Sequence, residues 1–466
     1  MKKKILAGLL AGTLLLSSLS GCGQGNKQAS TQESNVTASQ STESTLESES
    51  DVSETDESAV DDADETQNSD QESEESTEID SVTNETDTKL QDLLEFYEYW
   101  KPRYVVKNEY STDKDQYYVW YDINKYKGNN VSVPMTVSEA HGYGMLTMVM
   151  MDSFDPEAHD IFDGMVRYYN AHRSCIGPHL MAWIQSDNGS ALIDGDDGSM
   201  ESKPTDSATD GDMDVAYALL CADKVWGSDG EFDYKTMAVD MINDIMTYEI
   251  SPETYLPLLG DWAYGLDASS RHYNGTRSSD FLMTHFLSYY NATQDERWMK
   301  VYDNTYALIK QGVEDYKTGL LPDFWQWNDS EKKYYPADAY FLEDISDSYY
   351  GYNSCRTPWR IGTDYLISKN ETAKEFADAI DSFICESCNG KPGNIVAGYK
   401  LDGTKANFED ALCFTVPFLL TAKCAENKEW EDALYMRTIK RSRDSYFGDC
   451  IKMIVLLVYN DIYMVP

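Results

Sequence analysis

The chain has six histidines among 466 residues, and no two of them stand at the spacing of a metal site. No Gly-x-Ser-x-Gly stretch occurs, which removes the usual signature of a serine hydrolase. Basic residues are scarce: 38 Lys and Arg face 81 Asp and Glu, for a net charge of −43. That balance speaks against nucleic acid as a partner and for a neutral or cationic one. Beyond the first 22 residues no apolar run approaches the length that spans a bilayer. The nine cysteines are scattered, and Cys385-x-x-Cys388 has neither a second pair nor a histidine to complete a zinc site. No metal and no cofactor is therefore expected, and no disulfide is assigned.

What is present begins at the N-terminus. Lys2, Lys3 and Lys4 precede an apolar stretch from Ile5 to Leu16, and Leu19-Ser20-Gly21-Cys22 closes it. The run reads as a removable signal. Its terminal cysteine resembles a bacterial lipobox, which implies lipidation at Cys22 and anchoring at the extracellular face of the cell membrane. Residues 31–90 follow with 20 acidic side chains, one lysine (Lys89) and no aromatic residue. Such a segment cannot bury enough apolar surface to offset chain entropy. The expected organisation is a signal over 1–22, a disordered acidic tether over 23–88, and one folded domain over 89–466, acting as a monomer.

Within 89–466 apolar residues recur at helical spacing, for example over 145–151, 215–225, 281–290, 373–384 and 450–459. Gly-, Asp- and Asn-rich connections separate them. About a dozen short helices suit a ring of helical hairpins better than a bundle of a few long ones. The fold class expected is all-α.

Three stretches carry chemistry. In Ser138-Glu139-Ala140-His141-Gly142-Tyr143-Gly144, a carboxylate opens an apolar helix and two glycines permit close approach. In Ala208-Thr209-Asp210-Gly211-Asp212-Met213-Asp214, three alternating aspartates suggest a calcium loop, but Val215 and Cys221 stand where that loop needs Gly and Glu. Capping explains one or two of these acids, leaving at least one for a ligand. The third stretch, from Tyr340 to Arg360, combines acids, tyrosines, Arg356 and turn residues, as a sugar-binding cleft does. Trp183, Trp262 and Trp325 are further stacking candidates, with core packing an equal alternative for each.

Together these stretches resemble glycoside hydrolase family 8. The likeness rests on residues 138–145, Leu-Met-Ala-Trp at 180–183, residues 208–219, Arg-Ser-Ser-Asp-Phe at 277–281 and Cys-Arg-Thr-Pro-Trp-Arg-Ile-Gly-Thr-Asp-Tyr at 355–365. His141 departs from the usual glutamine. The resemblance implies an (α/α)6 barrel and an inverting endo-β-1,4-glycosidase acting on a β-glucan or on chitosan. It implies Glu139 as general acid and Asp210 as the residue that grips the sugar at the scissile bond. It also implies substrate contacts from Tyr143, Trp183, Asp212, Trp262, Arg277, Tyr352, Asn353 and Arg356. Many members carry the base as an aspartate where this chain has Asn353, and an amide cannot take a proton from water. A branch with asparagine there uses a loop glutamate about ten residues upstream, which implies Glu343, with Asp344 and Asp347 as competing carboxylates. The alternative is a binding lipoprotein that has lost its chemistry.

Overall fold

The computed structural model describes residues 73–121, 132–195, 198–441 and 444–466, with side chains from Thr88 onward. The signal, Cys22 and most of the tether lie outside the described residues. Within them one expectation is corrected. The chain is helical from Ser73, not only after residue 88, because α1 runs Ser73–Tyr104. Between Ser73 and Lys101 there is neither glycine nor proline to interrupt the helix.

Twelve α-helices occur among the described residues. After α1 come α2 (Ser138–Met150), α3 (Ala158–Ala171), α4 (Thr209–Trp226), α5 (Tyr234–Asp244), α6 (Met283–Thr293) and α7 (Arg297–Tyr316). They continue with α8 (Thr357–Ser368), α9 (Glu371–Ser387), α10 (Phe418–Cys424), α11 (Lys428–Lys440) and α12 (Tyr446–Tyr459). From α2 onward each even-numbered helix packs against the next even one, and α12 packs back against α2. The ring is closed: an all-α barrel. Helices α3, α5, α7, α9 and α11 each lie outside the inner helix that precedes them.

Composition explains which helices go inside. Every residue of α2 except Glu139 is buried, and every residue of α12 is buried. A helix that is apolar all round has to be enclosed. In α9, by contrast, the buried residues Ala373, Phe376, Ala377, Ile380, Asp381 and Ile384 form one stripe. Two inner glycines set the spacing of α2 and α4. A methyl group on Gly142 would meet Asp214 Cβ at 2.6 Å, and one on Gly211 would meet the Ser138 backbone at 2.6 Å. The N-terminal ends of these two helices therefore approach as closely as backbones allow.

Helical spacing gives no sign of three small antiparallel sheets in the connections. They pair β1 (Val105–Lys107) with β2 (Tyr117–Val119), and order β3 (Val133–Val137), β4 (Ile184–Asp187) and β5 (Leu192–Asp194). The third joins β6 (Thr276–Arg277), β7 (Phe324–Asn328) and β8 (Lys333–Pro336). Strands of two to five residues are too short to leave an alternating pattern. β3 runs directly into α2 and so fixes where Glu139 begins.

Candidate active site

One cleft opens where inner helices start. Its lining includes Glu139, Trp183, Ser207, Asp210, Trp262, Arg277, Leu342 and Glu343. Glu139 is the second residue of α2 and Asp210 the second of α4, while Arg356 immediately precedes α8 and Tyr446 opens α12. None of these four helices is capped by the side chain of its N-cap residue, and the positive ends of their dipoles lie at this end of the barrel.

Arg356 organises the site. Its Nη1 donates to Asp210 Oδ2 at 2.8 Å and to Glu139 Oε2, and its Nη2 donates to Asn353 Oδ1 at 3.1 Å. The Asn353 amide is thereby oriented, and its Nδ2 donates to Glu343 Oε2 at 3.1 Å. A continuous hydrogen-bonded path thus joins Glu139, Arg356, Asn353 and Glu343. An aspartate at 353 would have no donor for the last link. Tyr446 completes the Glu139 environment by donating to Oε1 at 2.8 Å.

The charges are poised differently. Burial raises the Glu139 carboxyl above its ordinary range against the pull of Arg356. Burial also disfavours the Asp210 carboxylate, but Arg277 and Arg356 outweigh it and hold Asp210 below its usual value. Glu343 is pushed up to about 8, chiefly by burial, with Arg277 opposing and Asp323 adding repulsion. Two carboxyls shifted upward, Glu139 and Glu343, and one shifted downward, Asp210, thus lie in a single cleft.

Several expected contacts are corrected. Tyr143 is fully enclosed, its ring 5.7 Å from Trp359, and it offers no surface to a ligand. Asn353 and Arg356 are also fully buried, so they hold carboxylates instead of presenting a face to substrate. Tyr352 packs on Phe414 at 5.0 Å, outside the cleft lining. Asp212 points away from the cleft: its Oδ1 accepts from Met181 N at 2.7 Å. Trp325 is core. Trp183, Trp262 and Arg277 do line the cleft beside Glu139, Asp210 and Glu343.

The competing acids separate as well. Asp344 is exposed and accepts from Ser346 N, whereas Asp347 is buried and bonds the backbone of its own loop. Sequence reading missed Tyr446, Ser207 and Leu342. Tyr446 stands 307 residues from Glu139, outside any motif, and only the closure of α12 onto α2 brings it there. The described residues contain no group of three or more His, Cys, Asp or Glu arranged to hold a metal ion.

With this geometry in view, comparison with known proteins is informative. The chain matches the family described as Glycosyl hydrolases family 8 over residues 88–461. It is 40% identical to a β-glucanase of Niallia circulans, over 78% of this chain and 82% of that protein. It is 35% identical to an endoglucanase of Bacillus sp. (strain KSM-330), over 78% of this chain and 74% of that one. Among solved structures it resembles the apo β-1,3-1,4-glucanase from Paenibacillus sp. X4, with a TM-score of 0.72 and 38% identity, covering 82% of this chain and 94% of that one.

Proposed function

Because the chain belongs to glycoside hydrolase family 8, we propose that it is an inverting endo-glycanase that cleaves β-1,4 bonds in β-glucan, mixed-linkage β-1,3-1,4-glucan in particular. The relatives named above are glucanases, which favours β-glucan over chitosan as substrate. The observation that carries the mechanism is the path from Glu139 through Arg356 and Asn353 to Glu343, with both end carboxyls lining one cleft.

In this mechanism Glu139, whose protonated form burial favours, donates to the departing glycosidic oxygen. Asp210, ionised beside two arginines, binds the sugar and opposes the positive charge that develops at its anomeric carbon. Glu343 takes a proton from a water attacking the opposite face. Asn353 cannot accept that proton, and its amide instead aims the Glu343 carboxyl. Trp183 and Trp262 supply flat apolar surface for sugar rings. Arg277 balances Asp210 and Glu343.

The test is hydrolysis of mixed-linkage β-glucan, carboxymethylcellulose, xylan and chitosan side by side, with NMR of the first-formed anomer. β-Glucan cleaved with inversion supports the reading, and retention of configuration overturns it. Glu343→Gln should lower kcat by about 10²–10⁴-fold. Adding Asn353→Asp in that background should restore part of the loss by placing a base where other family members carry one. Equal turnover by Glu343→Gln and wild type would remove Glu343 from the role. We further place the enzyme on the outer face of the membrane through Cys22; release of Cys22→Ala into the medium is the expected outcome.

A further inference from the structure

The 337–353 loop raises a physical question. It brings Glu343 to the cleft, yet no helix or strand holds it. Two buried carboxylates tie its backbone on either side of Glu343 and Asn353. Asp347 Oδ2 accepts from Leu342 N at 2.7 Å and Glu343 N at 3.0 Å, and its Oδ1 accepts from Asp344 N at 2.9 Å. Asp323, just before β7, uses a single oxygen, Oδ1, to accept from Gly351 N (3.0 Å), Asn353 N (3.1 Å), Ser354 N (2.7 Å) and Ser354 Oγ (2.7 Å). The two acids sit on segments joined backbone to backbone, since Asp323 N donates to Tyr349 O at 2.7 Å and Phe324 N to Asp347 O at 3.0 Å.

We infer that Asp347 and Asp323 are positioning residues for Glu343: Asp347 holds the peptide that carries it, and Asp323 holds the peptide of the amide that aims it. The inference rests on the reading of Glu343 as base. Asp347 acts on the main chain at 342–344, and Asp323 acts through Asn353. The pair also has an electrostatic effect. The charged and titratable groups facing Glu343 are Arg277 from β6, Asp323 from the start of β7, and Asp347 from its own loop, with the Asn353 amide between. Arg277 favours the ionised form of Glu343, and the two aspartates disfavour it. Burial raises Asp323 itself to about 7, so it is ionised in the range near 8 where Glu343 titrates, and there it makes Glu343 a stronger base.

The two roles separate by mutation. All four donors reach one oxygen of Asp323, so Asp323→Asn can keep Oδ1 in place and lose only charge. Both oxygens of Asp347 accept N–H groups, so Asp347→Asn sets its NH2 group against a backbone N–H and loosens the loop.

The experiment is kcat, KM and the pH profile of kcat/KM on soluble mixed-linkage β-glucan for the full chain, with melting temperature as a check on folding. Variants are Asp323→Asn, Asp347→Asn and Glu343→Gln. For Asp323→Asn the acid limb should move to lower pH by about one unit with KM little changed, because Glu343 loses a like-charged neighbour. For Asp347→Asn kcat should fall by about 10²-fold, the usual result of a displaced catalytic group. A profile for folded Asp323→Asn that superimposes on wild type overturns the inference, as does full kcat in Asp347→Asn. If Glu343→Gln itself keeps full activity, the base assignment fails instead, and the two failures are told apart.

Discussion

Asp210 and Asp212 stand two residues apart on α4, and the clusters they join could hardly differ more. Asp210 shares Arg356 with Glu139 and feels Arg277, so its buried charge is compensated and stays ionised. Asp212 faces Glu249 and Asp261, and the charges that act on Asp212 and Glu249 are negative. The remaining carboxylate oxygens, Asp212 Oδ2 and Glu249 Oε2, are buried without a hydrogen-bond partner. Burial raises both well above the usual range. This second cluster still has work: Glu249 accepts from Ser207 Oγ at 2.5 Å, and Asp261 from Ser207 N at 2.8 Å, so it braces a residue of the cleft wall. A shared arginine and an open side set the cleft carboxylates apart, while burial without a cation leaves Asp212 and Glu249 as a brace.

The comparison can be broken in stages. The largest effect is expected for Glu139→Gln, which removes the proton donor: kcat on β-glucan should fall by about 10³-fold or more, with KM little changed. Next, Arg356→Met would strip the cleft cluster of its cation and leave Glu139 and Asp210 facing each other. Chemical denaturation should then show a loss of about 3–5 kcal/mol, the usual result of breaking a buried pair on one side. The smallest change is Glu249→Gln. It should leave kcat near wild type and raise the melting temperature at neutral pH by a few degrees.

The pH dependence of stability should carry opposite signs for the two clusters. Asp212 and Glu249 bind protons more tightly folded than unfolded, so their contribution is fully present near pH 4 and is lost as pH rises through their raised folded values. The gain from Glu249→Gln should accordingly vanish near pH 4 and grow toward pH 8. Asp210 is depressed, so its contribution is present above the unfolded value and is lost as pH falls below it. Melting curves across pH for wild type and Glu249→Gln check both signs, and parallel curves would remove the distinction.

Helical geometry explains which part of the site could be read in advance. Glu139, Asp210 and Arg356 sit in short stretches whose chemistry is local, and the helix starts beside them are marked by the apolar runs that follow. Residues two apart on a helix point about 200° away from each other, so Asp210 and Asp212 could not both face the cleft. Asp214, one turn beyond Asp210, returns to the same side. It meets Arg360, one turn beyond Arg356, through bonds of 2.9 and 2.6 Å. The two ion pairs form a ladder between α4 and α8, in which spacing sets the rungs on each helix and the packing of the two helices pairs them. Tyr446, Asp323 and Asp347 were not, because each depends on which distant segments meet. The three small sheets were hidden for the same reason, since their strands are defined by partners and not by internal pattern.

Gly142 and Gly211 have a consequence for how such a cleft can change over time. The gap between the helices that bear Glu139 and Asp210 is already at backbone contact, held there by two absent methyl groups. Nothing can be removed to bring them closer, and the first atom added drives them apart. That half of the site is therefore an all-or-none inheritance. The loop bearing Glu343 carries the same constraint at one point, since a methyl group on Gly351 would meet the Asp323 carboxylate, and there too the backbone leaves no room for an added atom.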